Sequence, residues 1–460
     1  MPTSDIHNKY REVKENFENY FNTFVSLLHH DHPKSLQLAE QHFQNVTSYN
    51  LSSGKRIRGV LVVLSYMVFS NKNENSRKNL SCAYLIGWCV ELVNILVSSI
   101  DFFEVNSPYI LILVKNIREN HGHIVNPRIN RVTYYVRFPT RLNSMLLNSL
   151  LHAGFLVLDD IIDNSTLRRG QPCWYCTQID LNRGLIGVND GLHLILSSKY
   201  LIHSLFAENQ SNVDSYSWKD KNNVYLKLCK LFDEISYKTC SGQCLDVLSA
   251  NPNNQCILNG KQNNLEFDSF ARNYSPDVFE AITHWKTGFY TFYLPVACGM
   301  ILAEVDDTDD IFKNVQYILL KLGNYFQAQD DYLDCFGDSE ITGKVGTDIA
   351  EGKCTWLIVE ALKYLSPEQY KILKVKAIFF HFKIILSSKT NYGKPDLKSQ
   401  QTVRNLYGAI KLPEKYYLYE EQTKSEIMNN IQKFMYLDHF SFDPRDLFTF
   451  LVELLFQRVC

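Results

Sequence analysis

Apolar residues recur at three- and four-residue spacing along most of the chain, the pattern of helices that bury one face. It predicts helices over residues 9–29, 35–48, 57–70, 78–92, 151–164, 188–207, 222–248, 266–283, 286–303, 309–335, 352–364 and 414–434. No stretch alternates apolar and polar residues between hairpin turns, so no sheet is expected. Short hydrophilic connections, such as 71–77 and 251–264, join the helices, and no internal repeat is visible. The expected fold is all-α, a bundle with a central cavity.

Composition narrows this only slightly. A chain of 460 residues that is 45% hydrophobic and 13% aromatic can bury a large core. A formal net charge of -2 argues against a general nucleic-acid binder. The 12 cysteines follow no framework, and Cys173-Trp174-Tyr175-Cys176 has no second ligand pair nearby, so a reduced intracellular chain is expected rather than a zinc or redox centre. The amino terminus carries Asp5 early and no long apolar run follows it, which predicts neither a leader nor a membrane span and points to the cytoplasm.

Candidate chemistry rests on two aspartate motifs, Asp159-Asp160-Ile161-Ile162-Asp163 and Asp330-Asp331-Tyr332-Leu333-Asp334. On a helix, Asp159 and Asp163 share one face, as do Asp330 and Asp334, so each motif aims two carboxylates at one point. Apolar helical text precedes both, which a solvated surface face would not show. Buried carboxylates repel one another unless cations hold them. Hard oxygen ligands that leave the shell open suit Mg²⁺ completed by substrate phosphates, and basic residues follow each motif. A diphosphate is the expected ligand.

Further motifs identify a family. Gly54-Lys55-Arg56-Ile57-Arg58-Gly59, Arg168-Arg169-Gly170-Gln171 after the first aspartates, and Lys286-Thr287 ahead of Phe292-Tyr293-Leu294-Pro295 occur in order. Phe326-Gln327-Ala328-Gln329 enters the second aspartates, and Lys344, Gly346-Thr347-Asp348 and Lys353 follow. In these the chain resembles the trans-isoprenyl diphosphate synthases, most closely the farnesyl diphosphate synthases of animals. The resemblance implies one domain over 1–460, an isoprenoid-synthase bundle of about ten core helices around a cavity. It implies a prenyltransferase that joins dimethylallyl or geranyl diphosphate head to tail with isopentenyl diphosphate, giving farnesyl diphosphate with some geranylgeranyl diphosphate. A homodimer is implied as well.

By that resemblance Asp159 and Asp163 hold two Mg²⁺ and Asp330 a third, with Mn²⁺ as a substitute, while Asp331, Asp334 and Asp348 act through metal-bound water. Arg168, Lys286, Lys344 and Lys353 grip the allylic diphosphate, and Thr287 and Gln327 face the developing carbocation. Lys55, Arg58, Arg169 and His152 form the isopentenyl diphosphate pocket; His152 stands where animal relatives usually carry glutamine. The carboxyl end keeps only Arg458 where relatives close with a basic tail, which predicts weaker hold on that substrate. Chain length is assigned to Gly154 and Phe155, about one turn before Asp159, with glycine removing a wedge from the floor.

Two stretches, about 93–151 and 375–389, interrupt the family pattern. Deleting the first restores one amphipathic helix from Gly87 through Phe155, and both read as translated intron sequence rather than an evolved lid. Two alternatives stay open at this level. One is a terpene synthase that ionises an allylic diphosphate without isopentenyl diphosphate. The other is an inactive or non-catalytic family member.

Overall fold

Helices carry nearly every element of the computed structural model, which describes residues 3–20, 23, 33–51, 56–71, 79–90, 151–163, 165–168, 171–206, 219–250, 269–306, 310–337, 346–373, 391–436 and 439–456. The two expected insertions lie outside the described residues, apart from Leu151. The first half contains α1 (Thr3–Phe17), α2 (Gln37–Leu51), α3 (Ile57–Phe69), α4 (Leu80–Val90) and α5 (Leu151–Ile162). A two-residue antiparallel ladder, β1 (Leu167–Arg168) with β2 (Gln171–Pro172), then leads into α6 (Trp174–Asp180), α7 (Ile186–Phe206) and α8 (Lys221–Ala250).

The second half has α9 (Ser269–Asn273), α10 (Pro276–Ile282), a π-helical stretch over Thr283–Tyr293, α11 (Leu294–Leu302) and α12 (Ile311–Phe336). It closes with α13 (Asp348–Glu351), α14 (Trp356–Ala361), α15 (Pro367–Leu373), α16 (Leu397–Ala409), α17 (Leu412–Gln432) and α18 (Pro444–Phe456). The bundle is all-α, as expected, and no helix among the described residues is long and apolar enough to cross a membrane.

Two differences from the expected helices have physical causes. Residues 266–283 and 286–303 read as separate helices, yet Pro276 to Leu302 runs continuously, with helical dihedrals at Ile282, Thr283, Tyr293 and Leu294. Its π turns add one residue per turn and shift the apolar register, which mimics a break. Ser275 caps the rod's start, accepting from Val278 N at 3.3 Å, with Pro276 in the first turn. Helices α16 and α18 escape the periodic reading because the buried face of one includes Ser399 and Gln400, while the other buries residues on consecutive positions.

The core has two parts. One gathers Phe17, Leu64, Trp88, Phe232, Leu319 and Phe448 from both ends of the chain. The other gathers Ala328, Ile358, Val403, Tyr407 and Tyr416. They meet along α12, where Tyr325 belongs to the first and Ala328 to the second. Its 26 residues span about 39 Å. The second aspartate motif occupies its last turns, at the junction between the two cores.

Candidate active site

Helix α5 presents the first motif as the spacing requires. Asp163 N donates to Asp159 O at 2.8 Å, so the two side chains are one turn apart on the same face. Helix α8 runs beside it. A Cβ on Gly242 would lie 2.2 Å from Lys286 N, so only glycine lets α8 touch the π-helical backbone. That approach places Gln243 and Asp246 in the site.

Gln243 Nε2 donates to Asp159 Oδ1 at 2.8 Å. Lys286 Nζ, on the π-helical stretch, donates to Asp246 Oδ2 at 2.5 Å and lies 3.4 Å from Asp159 Oδ1. Lys353, after α13, completes the array: its Nζ is 2.6 Å from Asp163 Oδ2 and 3.7 Å from Asp246 Oδ2. Tyr392 donates its hydroxyl to Lys353 O at 2.5 Å and fixes the backbone there. With Glu351 Oε2 3.4 Å from Lys353 Nζ as well, two cations stand among four carboxylates.

The second motif is built around α13. Asp334 accepts from Thr347 N at 3.2 Å and Asp348 N at 3.1 Å. A Cβ on Gly346 would lie 1.9 Å from Asp334 O, which explains glycine in Gly346-Thr347-Asp348. Asp331, expected to act through metal-bound water, has both oxygens engaged within the protein: Gln327 Nε2 donates at 2.9 Å and Trp356 N at 2.7 Å. Thr287 Oγ1 donates to Gln327 Oε1 at 3.1 Å, so this expected pair is brought together.

Electrostatics binds the parts into one site. Burial raises Asp163, helped by the Asp159 charge and opposed by Lys353 and Lys286. Burial also pushes Asp331 up to about 8, and it raises Asp348 together with the charges of Asp334 and Asp331. Burial alone would raise Asp246, but Lys286 and then Lys353 outweigh it and hold the carboxyl below its ordinary value. Among the described residues no three His, Cys, Asp or Glu side chains cage a metal unaided. Carboxyls that push one another up, with hard oxygens in an incomplete set, fit Mg²⁺ that shares its shell with water and phosphate oxygens.

A cavity of about 410 Å³ opens beside this array, within the range of ligand sites. Its polar end is Asp159, Gln243 and Lys286, and Phe155, Leu158, Val247 and Tyr290 are among its apolar walls. Phe155, to which chain length was assigned, lines this cavity. Gly154 requires a correction. Its Cβ would lie 2.5 Å from Gly191 O and 2.5 Å from Ile195 Cγ1, so it serves close packing of α5 on α7 and leaves no wedge open in the cavity floor.

Arg58 is buried and donates to Thr291 Oγ1 at 2.9 Å, with its guanidinium 5.4 Å from the centre of the Tyr290 ring. Asp330 sits on α12, half-buried. Lys55, Arg169 and Lys344 lie outside the described residues, as do the side chains of His152 and Arg168. Gln243 and Asp246 were not anticipated, although a signal exists. The face of α8 that buries Leu228, Phe232, Ile235 and Thr239 also carries Asp246, and a carboxylate on a buried stripe needs a cation.

The family model for polyprenyl synthetase matches residues 134–377. The farnesyl pyrophosphate synthase of Gallus gallus is 30% identical over 448 residues, spanning 97% of this chain and 92% of the relative. That of Homo sapiens is 31% identical over 428 residues, spanning 92% of this chain and 77% of the relative. In fold, the chain is similar to the solved structure of T. brucei farnesyl diphosphate synthase complexed with a bisphosphonate, with a TM-score of 0.63 at 24% identity over 99% of this chain and 98% of that one.

Proposed function

The chain belongs to the polyprenyl synthetase family, and from that premise we propose that it is a metal-dependent prenyltransferase condensing an allylic diphosphate with isopentenyl diphosphate to give farnesyl diphosphate. The observation that carries the reading is the array of Lys286 and Lys353 among Asp159, Asp163 and Asp246, set at the polar end of an apolar cavity. Such a cavity receives a molecule with a diphosphate head and a hydrocarbon tail. Lys286 and Lys353 hold the head through fixed cations, and Asp246 keeps both charged and in place.

Asp159 and Asp163 would hold two Mg²⁺ and Asp330 a third, with Asp334 and Asp348 behind them and Mn²⁺ as a substitute. When bound, the metal neutralises charge growing on the leaving diphosphate. The allylic carbon–oxygen bond breaks, the cation is attacked by the double bond of isopentenyl diphosphate, and a proton then leaves to the released diphosphate. Thr287 and Gln327 offer oxygen to the cation without trapping it. Arg58 serves the second substrate together with Lys55, Arg169 and His152.

A second copy of the chain is proposed to cover α7. Val188, Leu192, Leu196 and Tyr200 form an exposed apolar stripe there, at helical spacing, and Leu196 is 61% exposed. The stretches 93–151 and 375–389 are proposed to be additions to the bundle. Helices α4 and α5, which flank the first, both pack on α7, and the family match begins inside one stretch and ends inside the other. A cytoplasmic location is proposed because no disulfide joins the described cysteines, as in a reducing compartment. Incubation with Mg²⁺ and geranyl diphosphate, with and without isopentenyl diphosphate, tests the activity. Farnesyl diphosphate that needs both substrates supports it, whereas hydrocarbon or alcohol formed without isopentenyl diphosphate would point to a terpene synthase.

A further inference from the structure

Lys353 belongs to neither of the helices beside it. It stands in the short link between α13 and α14, behind Gly352, whose φ of +72° lies in the left-handed region. Carbonyls in such a link have no helical partner and need donors from elsewhere. Tyr274, 3% exposed, donates its hydroxyl to Gly352 O at 2.9 Å. Tyr392, 2% exposed, donates to Lys353 O at 2.5 Å, and Thr355 N donates to the same oxygen at 3.0 Å. The two tyrosine rings meet edge to face, with centroids 5.4 Å apart and planes at 85°. Burial raises both phenols above their ordinary value, so each hydroxyl keeps its hydrogen.

Both tyrosines are themselves anchored. Tyr274 immediately precedes Ser275, the cap of the continuous rod that carries Lys286. Tyr392 precedes Gly393, whose N–H donates to Ile349 O of α13 at 2.8 Å, and a Cβ on Gly352 would lie 3.1 Å from Gly393 Cα. The pair therefore joins the link of Lys353 to the foot of the rod of Lys286. We propose that Tyr274 and Tyr392 are positioning residues that set the separation of Lys286 and Lys353, and with it the grip on the allylic diphosphate. This rests on the prenyltransferase reading above, in which both lysines hold that group. Neither tyrosine lines the cavity. Asp246 attracts both ammoniums, but each ends a flexible four-carbon stem, and only the backbone beneath it decides where Lys353 starts.

Tyr392→Phe removes one hydroxyl and keeps the ring. The expected result is a KM for geranyl diphosphate higher by about 3–10-fold, the effect of one hydrogen bond, with the KM for isopentenyl diphosphate within about twofold of wild type. In a Lys353→Ala background the same substitution should change the geranyl diphosphate KM by less than about twofold. A residue that acts only through the ammonium has nothing left to place there.

An unchanged geranyl diphosphate KM in Tyr392→Phe would overturn the proposal. So would an equal rise for both substrates, or a further rise in the Lys353→Ala background, which a generally loosened fold produces. If Tyr392→Phe does not fold, Tyr274→Phe goes through the same comparison, and failure of both to fold would make them residues of the fold alone and overturn the proposal. A crystal structure of Tyr392→Phe without substrate separates the clamp from the functional reading. Lys353 Nζ displaced beyond about 4 Å from Asp163 Oδ2 is expected whether or not the protein condenses prenyl groups, and Nζ still 2.6 Å from it overturns the clamp. Lys353→Ala with an unchanged geranyl diphosphate KM would instead overturn the role given to Lys353, and the proposal with it.

Discussion

Lys353 Nζ stands 2.6 Å from Asp163 Oδ2 and so joins the helix of the first aspartate motif to the chain that follows the second. Because Lys353 also lies 3.7 Å from Asp246, and Lys286 bonds the same carboxylate, one buried aspartate organises both lysines.

Asp246→Asn should therefore cost stability as well as activity. Removing one member of a buried charge array costs about 3 kcal/mol. Asp246 lies below its ordinary value in the folded protein, against burial, because of Lys286 and Lys353. Its contribution is then present above the unfolded carboxyl value of about 3.9 and is lost as pH falls through the lower folded value. Urea midpoints measured from pH 7 down to pH 3 should show the two proteins furthest apart at neutral pH and converging in acid.

Gly242→Ala should destabilise by about 1–3 kcal/mol, since its methyl group would sit 2.2 Å from the Lys286 backbone nitrogen. The same shift would pull Gln243 and Asp246 away from Asp159 and Lys286. Denaturation and initial rates measured on one preparation should fall together. A variant with unchanged stability and rate would show that α8 has slack at this point.

Phe155 and Gly154 should behave differently, although they are neighbours. Phe155→Ala opens the apolar cavity and should lengthen the product towards twenty carbons. Gly154→Phe drives a ring into Gly191 and Ile195, so it should lower the melting temperature or abolish folding without shortening the product. Chain-length chromatography of the released alcohols, with melting curves, distinguishes the two.

Leu192→Lys with Leu196→Lys should convert a dimer to a monomer if α7 packs on its copy, because two charges would enter an apolar face. Light scattering behind size exclusion reads this directly. Unchanged mass would place the interface elsewhere.

The chemistry of the site was more legible in the sequence than its packing. Asp159 with Asp163, and Asp330 with Asp334, follow from four-residue spacing within helices, which is a local rule. Thr287 and Gln327 were paired through family resemblance, and the structure joins them by a hydrogen bond. Gly154 was misread because its neighbour Gly191 lies on another helix, and spacing along one helix says nothing about which helix it meets. Gln243 and Asp246 were missed for the same reason: their partners come from α5, the π-helical stretch and the chain after α13. The continuous rod from Pro276 to Leu302 was hidden by a register shift that mimics a helix break.

The most direct test of the account is a crystal structure with Mg²⁺ and a thiolo analogue of geranyl diphosphate that resists ionisation. The account predicts the diphosphate between Lys286 and Lys353, metal ions on Asp159, Asp163 and Asp330, and the prenyl tail along Phe155 and Tyr290. A diphosphate bound away from both lysines, or a tail leaving the cavity on another path, would contradict it.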